Sequence, residues 1–299
     1  MFEKMKANLL FHKLLHRPDI NKAYAMVKET DSWYETITKV HNSLKEIQEL
    51  PHDILEVTSD DGLKLKGVYY PGDKECNVTV VCIHGYTSHA EREWAFPGLF
   101  YLSLGYNVLI PYQRAHGLSE GKYISFGAKE HLDMLHWICK INEITPDDKI
   151  IIHGLSMGGG IALDLADKKM KNVKGIIADA PSVSIETFFK NVTQHVFKKN
   201  SEKVLFYIRE RFKQEFGVDI KDYESINIVS NGKYPILLAA GSAENREEQF
   251  ADIKKVNPNH TSIIILPDCN HGNGMYKQTK MYQGAIKEFI NYAFGLEEI

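Results

Sequence analysis

Residues 149–160 read Lys-Ile-Ile-Ile-His-Gly-Leu-Ser-Met-Gly-Gly-Gly. An apolar run leads into a G-x-S-x-G pentapeptide, Gly154-Leu155-Ser156-Met157-Gly158, and a helix-like segment, Ile161 to Met170, follows it. Strand, sharp turn and helix are the setting that turns this loose pattern into a nucleophile elbow. Such a turn strains the serine backbone and lifts its hydroxyl above the sheet. A glycine two residues to either side removes a Cβ that would strike the neighbouring strand or helix. Alone, the pentapeptide also fits a chance match in a Gly-rich turn, so its reading depends on the rest of the chain.

Outward from the pentapeptide, short apolar runs alternate with helical patterns. Ile54 to Val57 and Leu63 to Tyr70 read as two strands joined by the turn signal Ser59-Asp60-Asp61-Gly62. Further strands are expected at Val78 to Ile83, Tyr106 to Pro111, Lys149 to His153, Val173 to Ala178, Pro235 to Ala240 and Ser262 to Leu266. Helical patterns at His89 to Leu104, Gly127 to Ile141, Glu247 to Val256 and Tyr282 to Phe294 fall between or after them. Near-continuous apolar strands separated by helices imply an α/β fold: a mostly parallel eight-stranded sheet covered on both faces. Residues 1–50 read as a polar-rich helical extension that ends at Pro51. Residues 51–299 then form the α/β domain. Residues 183–230 break its rhythm with two or three short aromatic-rich helices, which include Phe188, Phe189, Phe206 and Phe212. An insertion there, on the C-terminal side of the strands, is expected to cap the site; a peripheral helical pair is the alternative.

The bulk numbers exclude several classes. A formal net charge of −3 gives no argument for a nucleic-acid partner. No stretch of 18 apolar residues exists, so no integral membrane span is expected. Leu9-Leu10-Phe11 is too short for the core of a signal peptide. The basic, apolar segment Met1 to Leu15 is expected to be a helix docked on the domain or on a second subunit, rather than lying on a membrane. Cys76, Cys82, Cys139 and Cys269 show no paired spacing and read as reduced thiols in a cytoplasmic protein. No cluster of His or Cys has metal-ligand spacing, so neither a metal nor an organic cofactor is expected.

A serine hydroxyl needs a base within reach, and the base needs an acid behind it. In this topology the order along the chain is serine, acid, histidine. Three histidines follow Ser156. His195 lies among lysines, and His260 precedes the last strand, at the wrong end of the sheet. His271 follows the last strand in Asp268-Cys269-Asn270-His271-Gly272 and is the expected base. The acid should follow the preceding strand, where Gly241-Ser242-Ala243-Glu244-Asn245 offers Glu244. Glu247 and Glu248 read as first-turn helix residues. Asp179, after the strand Val173 to Ala178, is a second rival. Two backbone N–H donors for an oxyanion are expected from Met157, next to the serine, and from Tyr86 in the loop His84-Gly85-Tyr86-Thr87. His84 reads as structural. Arg114, in the block Gln113 to Gly121, is expected to pair with a buried carboxylate, with Asp133 as its anchor.

Together, His84-Gly85, the Arg114 to Gly121 block, Gly154 to Gly158, Gly241 to Glu244 and Asn270-His271-Gly272 resemble the α/β-hydrolase superfamily over roughly residues 53 to 295. Within it the chain is similar to bacterial esterase and lipase-like or serine-aminopeptidase-like hydrolases with a small helical cap. Glu244 departs from the aspartate usual in that family. A serine at the elbow separates the chain from the branches that use aspartate or cysteine there. The resemblance implies a serine hydrolase that cleaves a small carboxylic ester, and the aromatic residues of the expected cap suggest an apolar acyl or aryl group. A peptidase, amidase or thioesterase would use the same set, and a non-catalytic binding protein on the scaffold is a further alternative.

Overall fold

The computed structural model describes residues 2–19 and 33–296. Its strands are β1 (Asp53–Thr58), β2 (Lys64–Tyr70), β3 (Val78–Ile83), β4 (Asn107–Pro111), β5 (Lys149–Leu155), β6 (Val173–Asp179), β7 (Ile236–Gly241) and β8 (Thr261–Leu266). They form one sheet in the order β1-β2-β4-β3-β5-β6-β7-β8. β2 runs antiparallel to both β1 and β4, and the pairs from β4 through β8 are parallel. Every residue of β3, β4 and β7 is buried, which is why these segments read as unbroken apolar runs and not as alternating ones.

Helices cover both faces. In chain order they are α1 (Phe2–Leu15), α2 (Tyr34–Gln48), α3 (Ala90–Ser103), α4 (Glu130–Ile144), α5 (Met157–Leu163), α6 (Ile185–Phe197), α7 (Ser201–Phe216), α8 (Ser225–Val229), α9 (Glu247–Val256), α10 (Gly274–Lys277) and α11 (Thr279–Ala293). Strand side chains alternate between two cores. Ile150, Ile152, Ile176 and Leu238 enter one core with α1, α4, α5, α7 and α9. Ile151, Ile177 and Leu237 enter the other with α2, α3 and α11. No helix among the described residues is long and apolar enough to cross a membrane.

Three features depart from or refine the sequence reading. The helix after Ser156 starts at Met157 and ends at Leu163, short of Met170. Leu165, Ala166 and Lys168 donate to carbonyls three residues back, so the chain tightens into successive turns instead of continuing the helix. Residues 183–230 form α6, α7 and α8 between β6 and β7. Of the expected N-terminal helical stretch, α1 and α2 are observed, and residues 20–32 lie outside the described residues. α1 docks on the domain by a stripe of Ala7, Leu10, Phe11 and Leu15, all buried. Phe11 meets the rings of Phe212 and Phe216 of α7 at 6.5 and 6.3 Å.

Candidate active site

Ser156 sits between β5 and α5 with φ +58° and ψ −115°, a backbone conformation that side chains rarely adopt. Its surroundings leave no room for alternatives. A Cβ on Gly154 would overlap the carbonyl of Gly158, and one on Gly158 would overlap the carbonyl of Ile83. The Ser156 amide donates to the Asp179 carbonyl at 2.8 Å, which ties the turn to the end of β6.

Two side chains reach this serine in series. His271, in the loop after β8, places Nε2 2.9 Å from Ser156 Oγ. Its Nδ1 lies 2.7 Å from Glu244 Oε2. With Nδ1–H donated to the carboxylate, Nε2 is the nitrogen free to accept from the hydroxyl. Glu244 follows β7 in a short 3-10 turn. Its other oxygen accepts the Gly241 amide at 3.2 Å, and Arg246 Nε approaches Oε2 at 3.5 Å. Burial is the largest single influence and raises the Glu244 carboxyl, but the hydrogen bond and charge of His271, the Gly241 amide and Arg246 together outweigh it and hold the group below the usual glutamate value. The same bond raises the His271 imidazole above its ordinary value, against the opposing effect of burial.

The rival groups have other surroundings. Glu247 and Glu248 are exposed in the first turn of α9. Asp179 ends β6, and its carboxyl takes a hydrogen bond from Tyr282; burial raises it to about 7. His195 is exposed at the end of α6, and His260 lies at the opposite edge of the sheet, before β8.

The loop after β3 passes directly beside the serine. A Cβ on Gly85 would lie 3.4 Å from Ser156 Cβ, so the peptide carrying the Tyr86 amide runs along the nucleophile. His84 braces this loop: Nδ1 bonds the Gly85 carbonyl at 2.9 Å and Nε2 accepts the Gln113 amide at 3.2 Å. The Tyr86 hydroxyl donates to the Leu14 carbonyl of α1, and its ring rests against Phe126 and Phe188. Arg114 pairs with Asp133 at 2.7 Å and with Asp61 at 2.8 Å beneath the neighbouring loop.

Sequence reasoning missed two contributors. Glu93 of α3 accepts the Gly85 amide at 2.7 Å, and burial raises its carboxyl to about 7. The second is α2. A cavity of about 490 Å³ opens beside Ser156 and His271, and it is lined by Trp33 and residues of α2, with Trp94, Tyr276 and Tyr282. Among the described residues, none of 183–230 lines it. Among the described residues no cluster of three His, Cys, Asp or Glu side chains is placed to hold a metal ion.

Comparison with known proteins agrees with this architecture. A family model for the α/β hydrolase fold matches residues 78–220. An uncharacterized Bacillus subtilis protein, YqkD, is 23% identical over 261 residues, which is 84% of this chain and 83% of that protein. The solved structure of the Pyrococcus furiosus esterase Pf2001 superposes with a TM-score of 0.64 at 26% identity, covering 83% of this chain and 93% of the esterase. Est1E of Butyrivibrio proteoclasticus, solved with ferulic acid bound, shares the fold at 18% identity and a TM-score of 0.62, covering 81% of this chain and 99% of its own. By its sheet, its elbow and these matches, the chain has the α/β-hydrolase fold.

Proposed function

We propose that the protein is a serine hydrolase that cleaves small carboxylic esters through an acyl-enzyme on Ser156. One observation carries the reading: the unbroken chain from Ser156 Oγ to His271 Nε2 and from His271 Nδ1 to Glu244, at 2.9 and 2.7 Å. Ser156 attacks the acyl carbon as its proton passes to His271, and Glu244 stabilises the imidazolium that forms. The amides of Met157 and Tyr86 donate hydrogen bonds to the carbonyl oxygen on which negative charge develops. His271 returns its proton to the leaving alcohol. It then takes one from water, which attacks the acyl carbon, and returns that proton to Ser156 Oγ as the acyl–oxygen bond breaks and the acid leaves. The aromatic and aliphatic lining of the cavity suits an apolar acyl or aryl group. The similarity to the Pf2001 esterase supports ester over other acyl substrates. Four unpaired cysteines support a cytoplasmic setting.

The test is a panel of p-nitrophenyl esters, thioesters and aminoacyl amides, run beside labelling with a fluorophosphonate. The reading expects ester turnover and labelling, both lost in Ser156→Ala. A wild type that resists the probe and leaves every ester intact would favour a binding protein on this scaffold. Preferential turnover of amides would move the reading to a peptidase.

A further inference from the structure

The far side of the cavity is closed by a helix outside the stretch the hydrolase family model matches. Trp33, Thr36, Ile37 and Val40 face into it, at the three- and four-residue spacing of one helical face. Trp94 and Pro97 of α3 and Tyr276 of α10 complete this end. The helix is held firmly there. Val40 and Ile47 are buried against α3, and at Gly98 the two helices approach so closely that a Cβ would lie 3.0 Å from Ile47 Cδ1. Lys39 Nζ donates to the Tyr276 carbonyl at 2.9 Å, which latches α2 to the segment just after His271. The lining includes the carboxyls of Glu93 and Asp179 and the imidazoles of His153 and His271 and, among the described residues, neither lysine nor arginine.

We propose that α2 is the specificity wall of the site: its Trp33-to-Val40 face limits the length of the acyl group, and the cavity takes uncharged apolar acyl groups over those that carry a carboxylate. The inference rests on the reading of Ser156 as the acyl-accepting nucleophile. An apolar chain entering past Ser156 meets Ile37 and Val40 end-on and displaces water from aliphatic and aromatic surface. A carboxylate would leave water for a largely apolar cavity that offers it no lysine or arginine and two acidic side chains as neighbours.

The experiment compares kcat/KM for p-nitrophenyl acetate, p-nitrophenyl octanoate and a p-nitrophenyl half-ester of a dicarboxylic acid. The proteins are wild type, Ile37→Trp and Ile37→Ala, each tested for fluorophosphonate labelling. Filling the wall with Trp should lower the octanoate-to-acetate ratio by about tenfold or more, the scale of removing pocket space for a methylene or two. Opening it with Ala should raise that ratio, and this arm stands if the Trp variant does not fold. The half-ester should be the poorest substrate of wild type. Labelled, active proteins whose ratios all match wild type, or a wild type that prefers the half-ester, would overturn the inference and leave the hydrolase reading standing. A wild type that neither labels nor turns over any ester overturns the hydrolase reading, and this inference falls with it.

Discussion

Glu244 determines how basic His271 is. The 2.7 Å bond between them lowers one pKa and raises the other, and the Gly241 amide holds the carboxylate in place. A glutamate has one more rotatable bond than the aspartate common at this position, so these anchors offset its extra freedom. Glu244→Gln should cut kcat by about 10³- to 10⁴-fold, as expected when the base loses the acid that fixes its tautomer. Asp179→Asn, whose carboxyl faces Tyr282, should cost far less. Comparable losses in both variants would refute the assignment. The pH profile gives an independent check. In the proposed mechanism His271 must be neutral to accept the serine proton, and its pKa is raised, so activity should rise with pH through a midpoint above 6.5. In Glu244→Gln that midpoint should fall, because the stabilised cation is lost. At this scale the sequence was informative where chemistry restricts the choice. Ser156, Glu244 and His271 each follow a strand of the parallel part of the sheet and lie within bonding distance in series, and few residue types can fill the proposed roles of nucleophile, acid and base. Glu93 was not legible, because a glutamate in the first turn of a helix is ordinary and nothing local says that it reaches Gly85.

The loop Gln113 to Gly121 shows how one buried ion pair organises an element. Arg114 gives Nε and Nη2 to both oxygens of Asp133, each at 2.7 Å, and its remaining reach to Asp61. The Arg114 and Asp133 side chains are only 5% and 2% exposed, so removing Arg114 strands Asp133 without its partner, whereas Arg114 keeps Asp61 if Asp133 is lost. Arg114→Met should therefore destabilise the protein by about 3–5 kcal/mol, read as a lower urea midpoint. Arg114→Met combined with Asp133→Leu should recover much of that loss, since Asp133 is then no longer buried without its partner. A single variant that unfolds at the wild-type midpoint would show that the pair contributes little. This pairing was foreseeable from an arginine in a Gly-flanked loop and an aspartate on the next helix. Strand positions were equally legible, because burial on both faces demands unbroken apolar runs such as Val78 to Ile83. The early end of α5 was not, because Leu165 to Met170 keep a helical composition and it is the local bonding that turns the chain.

Across the whole molecule, the N-terminal segment straddles the sheet. α1 contributes Ala7, Leu10, Phe11 and Leu15 to the core that holds α4 and α7, and α2 contributes Val40 and Ile47 to the core that holds α3 and α11. Its contacts with the site come from both helices: the Leu14 carbonyl receives the Tyr86 hydroxyl, and the face around Ile37 closes the cavity. Such contacts leave no pattern in the sequence, since Lys39 and Tyr276 meet across more than two hundred residues of chain. The segment reads as an appendage until it is folded, and it packs as part of both cores. Each buried Leu, Ile, Val or Phe is worth about 1.5–3 kcal/mol against exposure, which is large beside a typical net stability of about 5–15 kcal/mol. Deleting residues 1–50 should therefore do more than open the cavity. It bares apolar surface on both faces of the sheet, so the truncated protein should melt well below the full chain and bind the dye ANS where the full chain does not. A truncated protein with the full-length Tm and no dye binding would mean that the two cores are complete without α1 and α2, contrary to the packing of Phe11 and Ile47.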